Sequence, residues 1–135
     1  MVSHSISIQF LRFGLVGLVN TVIDFGVLNG LMLLLDRPAG IALLGCNAVA
    51  FLCANLNSYF GNRHWTFAGH RSASVAEFGV FLLIALVGLL INSSVLWWLT
   101  GGAPDTYLQL NIAKAVATGV SMGWNFLGYR LLLTR

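Results

Sequence analysis

Charge is what this sequence has least of. Seven Lys/Arg and four Asp/Glu make up only 8% of its 135 residues, against roughly a quarter in ordinary soluble domains. The basic residues are too few and too scattered for a nucleic-acid surface, so no nucleic-acid partner is expected. Proline is nearly missing, and Pro38 and Pro104 fall where turns are expected. The two cysteines, Cys46 and Cys53, lie seven apart in an apolar segment. That spacing puts them on one helix face as reduced packing residues, with too few companions to hold a metal. His4, His64 and His70 lack metal-ligand spacing and sit in tails or loops. A nucleophile elbow, a phosphate-binding glycine loop and paired catalytic carboxylates are all missing. The chain is therefore not expected to be an enzyme, to hydrolyse ATP or to carry a cofactor.

What fills the sequence instead is apolar: 58% of residues are hydrophobic and the mean hydropathy is +0.85. An integral membrane protein is the expectation, and at about 20 apolar residues per crossing the length allows four helices. Charges and turn residues separate spans at about 10–35, 40–62, 77–100 and 107–132. The first span is too long for a secretory signal and is not followed by a small-residue cleavage site, so it reads as a retained helix. The predicted fold is all-α, one polytopic transmembrane domain over residues 1–135. Its halves repeat: "VGLVNT" at 16–21 echoes "VGLLINSS" at 87–94, and "SYFGNR" at 58–63 echoes "NFLGYR" at 125–130. Four transmembrane helices arranged as a tandem repeat of two-helix hairpins, about 10–67 and 77–134, follow. Any symmetry axis then runs along the membrane normal. Arg12, Arg63, Arg71, Arg130 and Arg135 gather on the side of the termini and the middle loop, which puts both termini in the cytoplasm by the positive-inside rule. In that loop Trp65 and Phe67 suit a headgroup-level anchor.

Polar residues recur at helical spacing. Gly17, Asn20, Thr21 and Asp24 share a face of the first helix, Asn55, Ser58 and Asn62 of the second, Gly88 and Asn92 of the third, and Asn111, Lys114, Thr118, Ser121, Asn125 and Tyr129 of the fourth. These stripes are expected to face one another and to leave Leu, Val, Ile and Phe for lipid. Each Asn, Ser or Thr reads either as an interhelical hydrogen bond or as a ligand contact. Gly26 with Gly30, and Gly119 with Gly123, read first as close helix contacts. An Asp or Lys at a helix centre costs at least about 2.5–3.5 kcal/mol unpaired. Asp24 lies roughly 18 Å from the Arg12 edge and Lys114 about 24 Å from the Arg130 edge, a difference a lysine stem can bridge. The two are predicted to pair, as a structural contact or as part of a polar path. Arg12, Arg63 and Arg130, each at a helix end, either snorkel individually or form a phosphate clamp.

The stretches "FLRFGLVGLVNTVIDF", "SYFGNRHWTF", "AEFGVFLLIALVGLLIN" and "NFLGYRLLLT" resemble the GtrA-like family of small four-helix membrane proteins over nearly the whole chain. The family pattern closes each hairpin with an Asn-Phe pair, an arginine and an aromatic pair. Tyr59, Asn62, Arg63, Trp65 and Phe67 match the first ending, with Ser58 where the family favours Asn. Asn125, Phe126 and Arg130 match the second, with Leu132 and Thr134 in place of the aromatics. The resemblance implies movement (flipping) of a polyprenyl-phosphate-linked sugar from the cytoplasmic to the outer leaflet of a bacterial inner membrane, for cell-surface polysaccharide synthesis. On that reading Arg12, Arg63 and Arg130 take the phosphate, and Asn20, Asp24, Asn55, Ser58, Asn62, Asn92, Lys114, Thr118 and Asn125 line the sugar's path. Membrane lipids surround the bundle, a glycosyltransferase is a candidate partner, and so narrow an interior leads to the expectation of a homo-oligomer. Two rivals stay open: a non-transporting adaptor of a glycosyltransferase, and a small proton-coupled drug exporter, which needs its carboxylate unpaired.

Overall fold

A computed structural model describes the backbone of residues 2–66 and 74–133 and the side chains of 7–66 and 74–132. Phe67, His70, Arg71, Thr134, Arg135 and the side chain of His4 lie outside the described residues. Within them the chain is all helix: α1 (Val2–Leu34), α2 (Ile41–Gly61), α3 (Val75–Thr100) and α4 (Tyr107–Leu133), with no strand. Three of these segments are long and apolar enough to cross a membrane. The fourth helix, at 27 residues, is about 40 Å long at 1.5 Å per residue. It packs extensively against α3 and so spans the same slab, its polar stripe turned inward.

Helix ends follow local chemistry. α1 begins at Val2, well before residue 10. α3 begins at Val75 rather than 77, because Ser74 caps it: the Glu77 amide donates to Ser74 Oγ at 3.1 Å. α2 does not stop at residue 62 but widens into one π-helical turn, Asn62–Thr66. At the end of α1 the Arg37 amide donates to the Met32 carbonyl at 2.7 Å, and the Asp36 amide to that of Leu33 at 3.4 Å. Asp36 takes the left-handed position (φ 57°) that closes such a motif. The two short turns are tied together: the Gly40 amide donates to the Gly102 carbonyl at 2.7 Å. Beside this bond the Arg37 guanidinium donates to the Pro104 and Asp105 carbonyls and lies 5.7 Å above the Tyr107 ring.

Burial is inverted relative to a soluble protein. Leu11, Leu18, Val22, Leu83, Leu90 and Leu127 face outward, whereas Asp24, Asn47, Asn55, Asn92, Lys114 and Ser121 are buried. A bundle solvated by lipid has no cheaper place for its polar side chains. The apolar core is split in two. Leu28, Met32, Leu43, Cys46, Ala50, Leu96, Leu110, Ala113 and Ala117 fill the end nearest the short turns. Tyr59, Phe81, Ala85, Tyr129 and Leu132 fill the end nearest the termini. α1 packs mainly on α2, and α3 on α4, while α1 meets α4 only sparsely.

The paired glycines do not make the contacts their spacing suggests. A Cβ at Gly26, Gly30, Gly119 or Gly123 would meet nothing within 4 Å. Gly26, Gly119 and Gly123 are exposed, so within the chain these are open faces. Close approach occurs elsewhere. A Cβ at Gly61 would lie 3.1 Å from Val16, and one at Gly128 would lie 2.7 Å from Ile84. The repeated "FGNR" and "LGYR" glycines thus seat the second helix of each hairpin on a branched residue of the first. Gly88 is tighter still, with a Cβ 2.6 Å from Asn125 Oδ1 and 3.1 Å from Phe51. Gly88→Ala is expected to cost about 1–3 kcal/mol, read as an earlier unfolding midpoint in detergent. The cysteines also part company: Cys46 is buried and Cys53 exposed. Seven residues fall about 20° short of two full turns, and the inward face near Cys53 belongs to Ala54 and Asn55.

Candidate functional site

The chain's single lysine sits at the centre of a buried polar cluster. Lys114 is 0% exposed, and its Nζ lies 2.9 Å from Asp24 Oδ2, so the predicted pair forms. Its other donors go to Asn47 Oδ1 at 2.7 Å and Asn92 Oδ1 at 3.1 Å, which uses all three ammonium hydrogens. Asn47 Nδ2 donates to Asn92 Oδ1 and Ser93 Oγ, each at 3.1 Å, and Asn92 Nδ2 to Ser121 Oγ at 3.0 Å. Asn47 was not among the residues singled out from the sequence, although it stands two helical turns before Asn55 on the same stripe. It also stands 67 residues before Lys114. The same offset relates Ser58 to Asn125 and Arg63 to Arg130 in the repeated motifs, so Asn47 and Lys114 occupy equivalent places in the two hairpins.

On the terminal side of this cluster lies a small cavity of about 50 Å³. Asn20, Asp24, Asn55, Ser58, Thr118, Ser121 and Asn125 provide its polar wall, and Phe13, Phe51, Ala54 and Met122 its apolar one. Of the predicted path residues, six therefore line one space. Asn62, Asn92 and Lys114 do not: they are packed behind it, Asn62 donating to Ser58 Oγ at 3.1 Å. Asn57, unremarked in the sequence, donates to Asn20 Oδ1 at 2.6 Å. Asn55 Oδ1 accepts from Tyr129 Oη at 2.5 Å and from Asn125 Nδ2 at 3.2 Å, fixing α2 to α4 across the bundle. Tyr129→Phe is expected to cost about 0.6–1.7 kcal/mol, measured by denaturant unfolding in detergent micelles.

The cavity opens sideways. A larger trough between α1 and α4 shares Phe13, Gly17, Thr21 and Met122 with it and adds Phe10, Gly14, Leu18, Gly119, Gly123 and Phe126. Glycines on both walls leave the trough unfilled, which is why the seam is sparse. Two clasps bound it. Towards the turns, Asn29 and Asn111 exchange side-chain amide hydrogen bonds of 2.8 and 2.9 Å. Towards the termini, the Phe13 and Phe126 rings meet edge to face with centroids 4.7 Å apart. Between the clasps a polar chamber at membrane depth communicates with the lipid-facing surface.

The three arginines lie outside the cavity. Arg63 and Arg130 stand at the ends of their helices as expected, but Arg12 does not: α1 begins at Val2, so Arg12 lies well inside the helix. Arg12 donates to the Trp65 carbonyl at 3.0 Å and lies 5.5 Å over its ring. Arg63 is committed to Glu77, 3.5 Å away, with side chains only 8% and 1% exposed. Tyr59 Oη donates to the same carboxylate at 3.1 Å. Arg130 is exposed. Glu77, which in the sequence only marks the start of a span, thus ties the start of α3 to α2 and its π-helical turn. Among the described residues no group of His, Cys, Asp and Glu is arranged to hold a metal ion.

A model of the GtrA/DPMS transmembrane domain matches residues 12–134. The chain belongs to that family. Its members are linked to membrane processes on sugars borne by carrier lipids. Among curated proteins the chain is 32% identical over 120 residues to the uncharacterized membrane protein YngA of Bacillus subtilis (strain 168), covering 89% of this chain and 75% of that protein. No solved structure gives a significant match. Within this GtrA/DPMS bundle the closed Asp24–Lys114 pair disfavours the exporter reading, which needs a free carboxylate.

Proposed function

We propose that this protein moves a polyprenyl-phosphate-linked sugar across the membrane for cell-surface polysaccharide synthesis, by itself or as a subunit of that system. The observation that supports it is the polar cavity at helix depth that opens between α1 and α4 towards lipid. An amphiphile with a hydroxyl-rich head and a long apolar tail fits such a shape: the head turns inward while the tail stays in the bilayer. The phosphate is too large and too charged for a cavity of about 50 Å³ walled by a carboxylate. We assign it to Arg12 and Arg130 at the terminal end, which on this reading is cytoplasmic. Arg63 joins them only by leaving Glu77. For the sugar to reach the opposite leaflet, the apolar plug around Leu28, Met32, Leu43 and Leu110 and the Asn29–Asn111 clasp must part.

Reconstitution tests this directly. Liposomes carrying a polyprenyl-phosphate hexose in the inner leaflet are mixed with a membrane-impermeant sugar oxidant, and the rate of head-group oxidation is followed. Acceleration over protein-free liposomes is expected. A folded protein that gives no acceleration overturns the proposal and leaves the adaptor role, to be sought as a complex with a glycosyltransferase.

A further inference from the structure

Three buried polar atoms of residues lining the cavity have no hydrogen-bond partner: Asp24 Oδ1, Thr118 Oγ1 and Asn125 Oδ1. The last lies against Gly88 of α3, which leaves Asp24 Oδ1 and Thr118 Oγ1 as the pair considered for a ligand. Asp24 is only 4% exposed, so this oxygen is not drawn off by solvent. Its other oxygen is fixed by Lys114, whose remaining donors point away to Asn47 and Asn92. The lysine therefore orients the carboxylate and balances its charge without offering the cavity a donor. Of the neighbouring acceptors, Asn55 Oδ1 takes two hydrogen bonds and Ser58 Oγ one, while Asn125 Oδ1 accepts none and packs against Gly88. What the chamber lacks is a donor set to meet a carboxylate oxygen and a threonine hydroxyl. An unmet acceptor of this kind is costly in a low-dielectric interior, and a ligand that supplies the missing donors recovers that cost.

We propose that this wall is a recognition site for the hydroxyl edge of a neutral sugar, with Asp24 Oδ1 accepting from one hydroxyl and Thr118 Oγ1 bonding its neighbour, and that it rejects an acidic sugar. The proposal rests on the translocation reading and specifies its substrate class. The volume, about 50 Å³, admits one edge of a ring rather than the whole. The rest of the ring lies in the mouth, between the glycines of the seam. A uronic acid presented in the same pose sets a carboxylate against Asp24 Oδ1, and like charges at that range in a poorly hydrated site repel strongly. A hydroxyl, by contrast, gives a charge-assisted hydrogen bond. Lys114 is here a positioning residue.

The experiment compares two probes that share one lipid, farnesyl-phosphate glucose and farnesyl-phosphate glucuronic acid. Binding to the full chain in nanodiscs is measured alongside transfer in liposomes. At least tenfold tighter binding and faster transfer of the glucose lipid are expected. Thr118→Val should weaken glucose binding several-fold, Thr118→Ser should restore it, and Asp24→Asn should shrink the discrimination between the two probes. Equal handling of both probes, or preference for the glucuronic acid, overturns the inference while the translocation reading stands. Transfer of neither by folded protein overturns both. An unchanged discrimination ratio in folded Asp24→Asn also overturns the assignment, because a purely structural carboxylate does not read the charge of the sugar.

Discussion

Lys114→Met is expected to destabilise the protein by about 3–5 kcal/mol, the cost of leaving a buried carboxylate without its partner. Asp24 would keep its place at 4% exposure but lose the only cation within contact among the described residues. Asp24→Leu alone should be similarly harmful, since Lys114 would keep two amide oxygens but no counter-charge. The double variant Asp24→Leu/Lys114→Met removes both charges and is expected to recover at least half of the loss. Unfolding midpoints of the four proteins in the same detergent supply the cycle. Additive losses would show that the pair contributes nothing as a pair. A charge swap, Asp24→Lys with Lys114→Asp, is a poorer test. It would set a carboxylate against the Asn47 and Asn92 oxygens that now accept from the ammonium group.

Gly17→Leu should abolish at least nine-tenths of lipid-sugar transfer while leaving the fold intact. A Cβ at this position meets only Met122 Cε, at 3.9 Å, which is ordinary contact. The rest of a leucine side chain must project into the space shared by the cavity and the trough. Replacing glycine within a helix also favours helix formation, by up to about 1 kcal/mol, so lost transfer cannot be ascribed to unfolding when the midpoint is unchanged. Gly45→Leu makes the matched control: its Cβ meets nothing within 4 Å and it lies outside the cavity and the trough. Normal transfer in Gly17→Leu would mean that sugar does not pass through the seam.

The sequence exposes the features that lipid enforces. Four helices are legible because backbone groups in hydrocarbon must bond within their own segment, and the Asp24–Lys114 pair because a lone charge there is too costly to leave. The inward stripes follow from steps of three and four, and Asn20, Asp24, Asn55, Ser58, Thr118 and Asn125 from those stripes line one cavity. What is not legible depends on how helices sit against each other. Small-residue spacing cannot say whether Gly119 and Gly123 admit a neighbour or a gap, and here they admit a gap. Nor does spacing divide a stripe into wall and support, as it is divided between Thr118 and Lys114. Arg63 reads as a free phosphate ligand until Glu77, from the next helix, is seen beside it.

The contact between Asn47 and Lys114 joins two residues 67 apart that hold the same place in the two hairpins. Side chains at equivalent places can touch only near the pseudo-twofold axis. Were the hairpins separate identical subunits, that spot would have to hold two lysines, which repel, or two asparagines, which leave Asp24 unbalanced. One ammonium group met by one amide requires the two halves to have different sequences. A single hairpin paired with its own copy could therefore not reproduce the central charge.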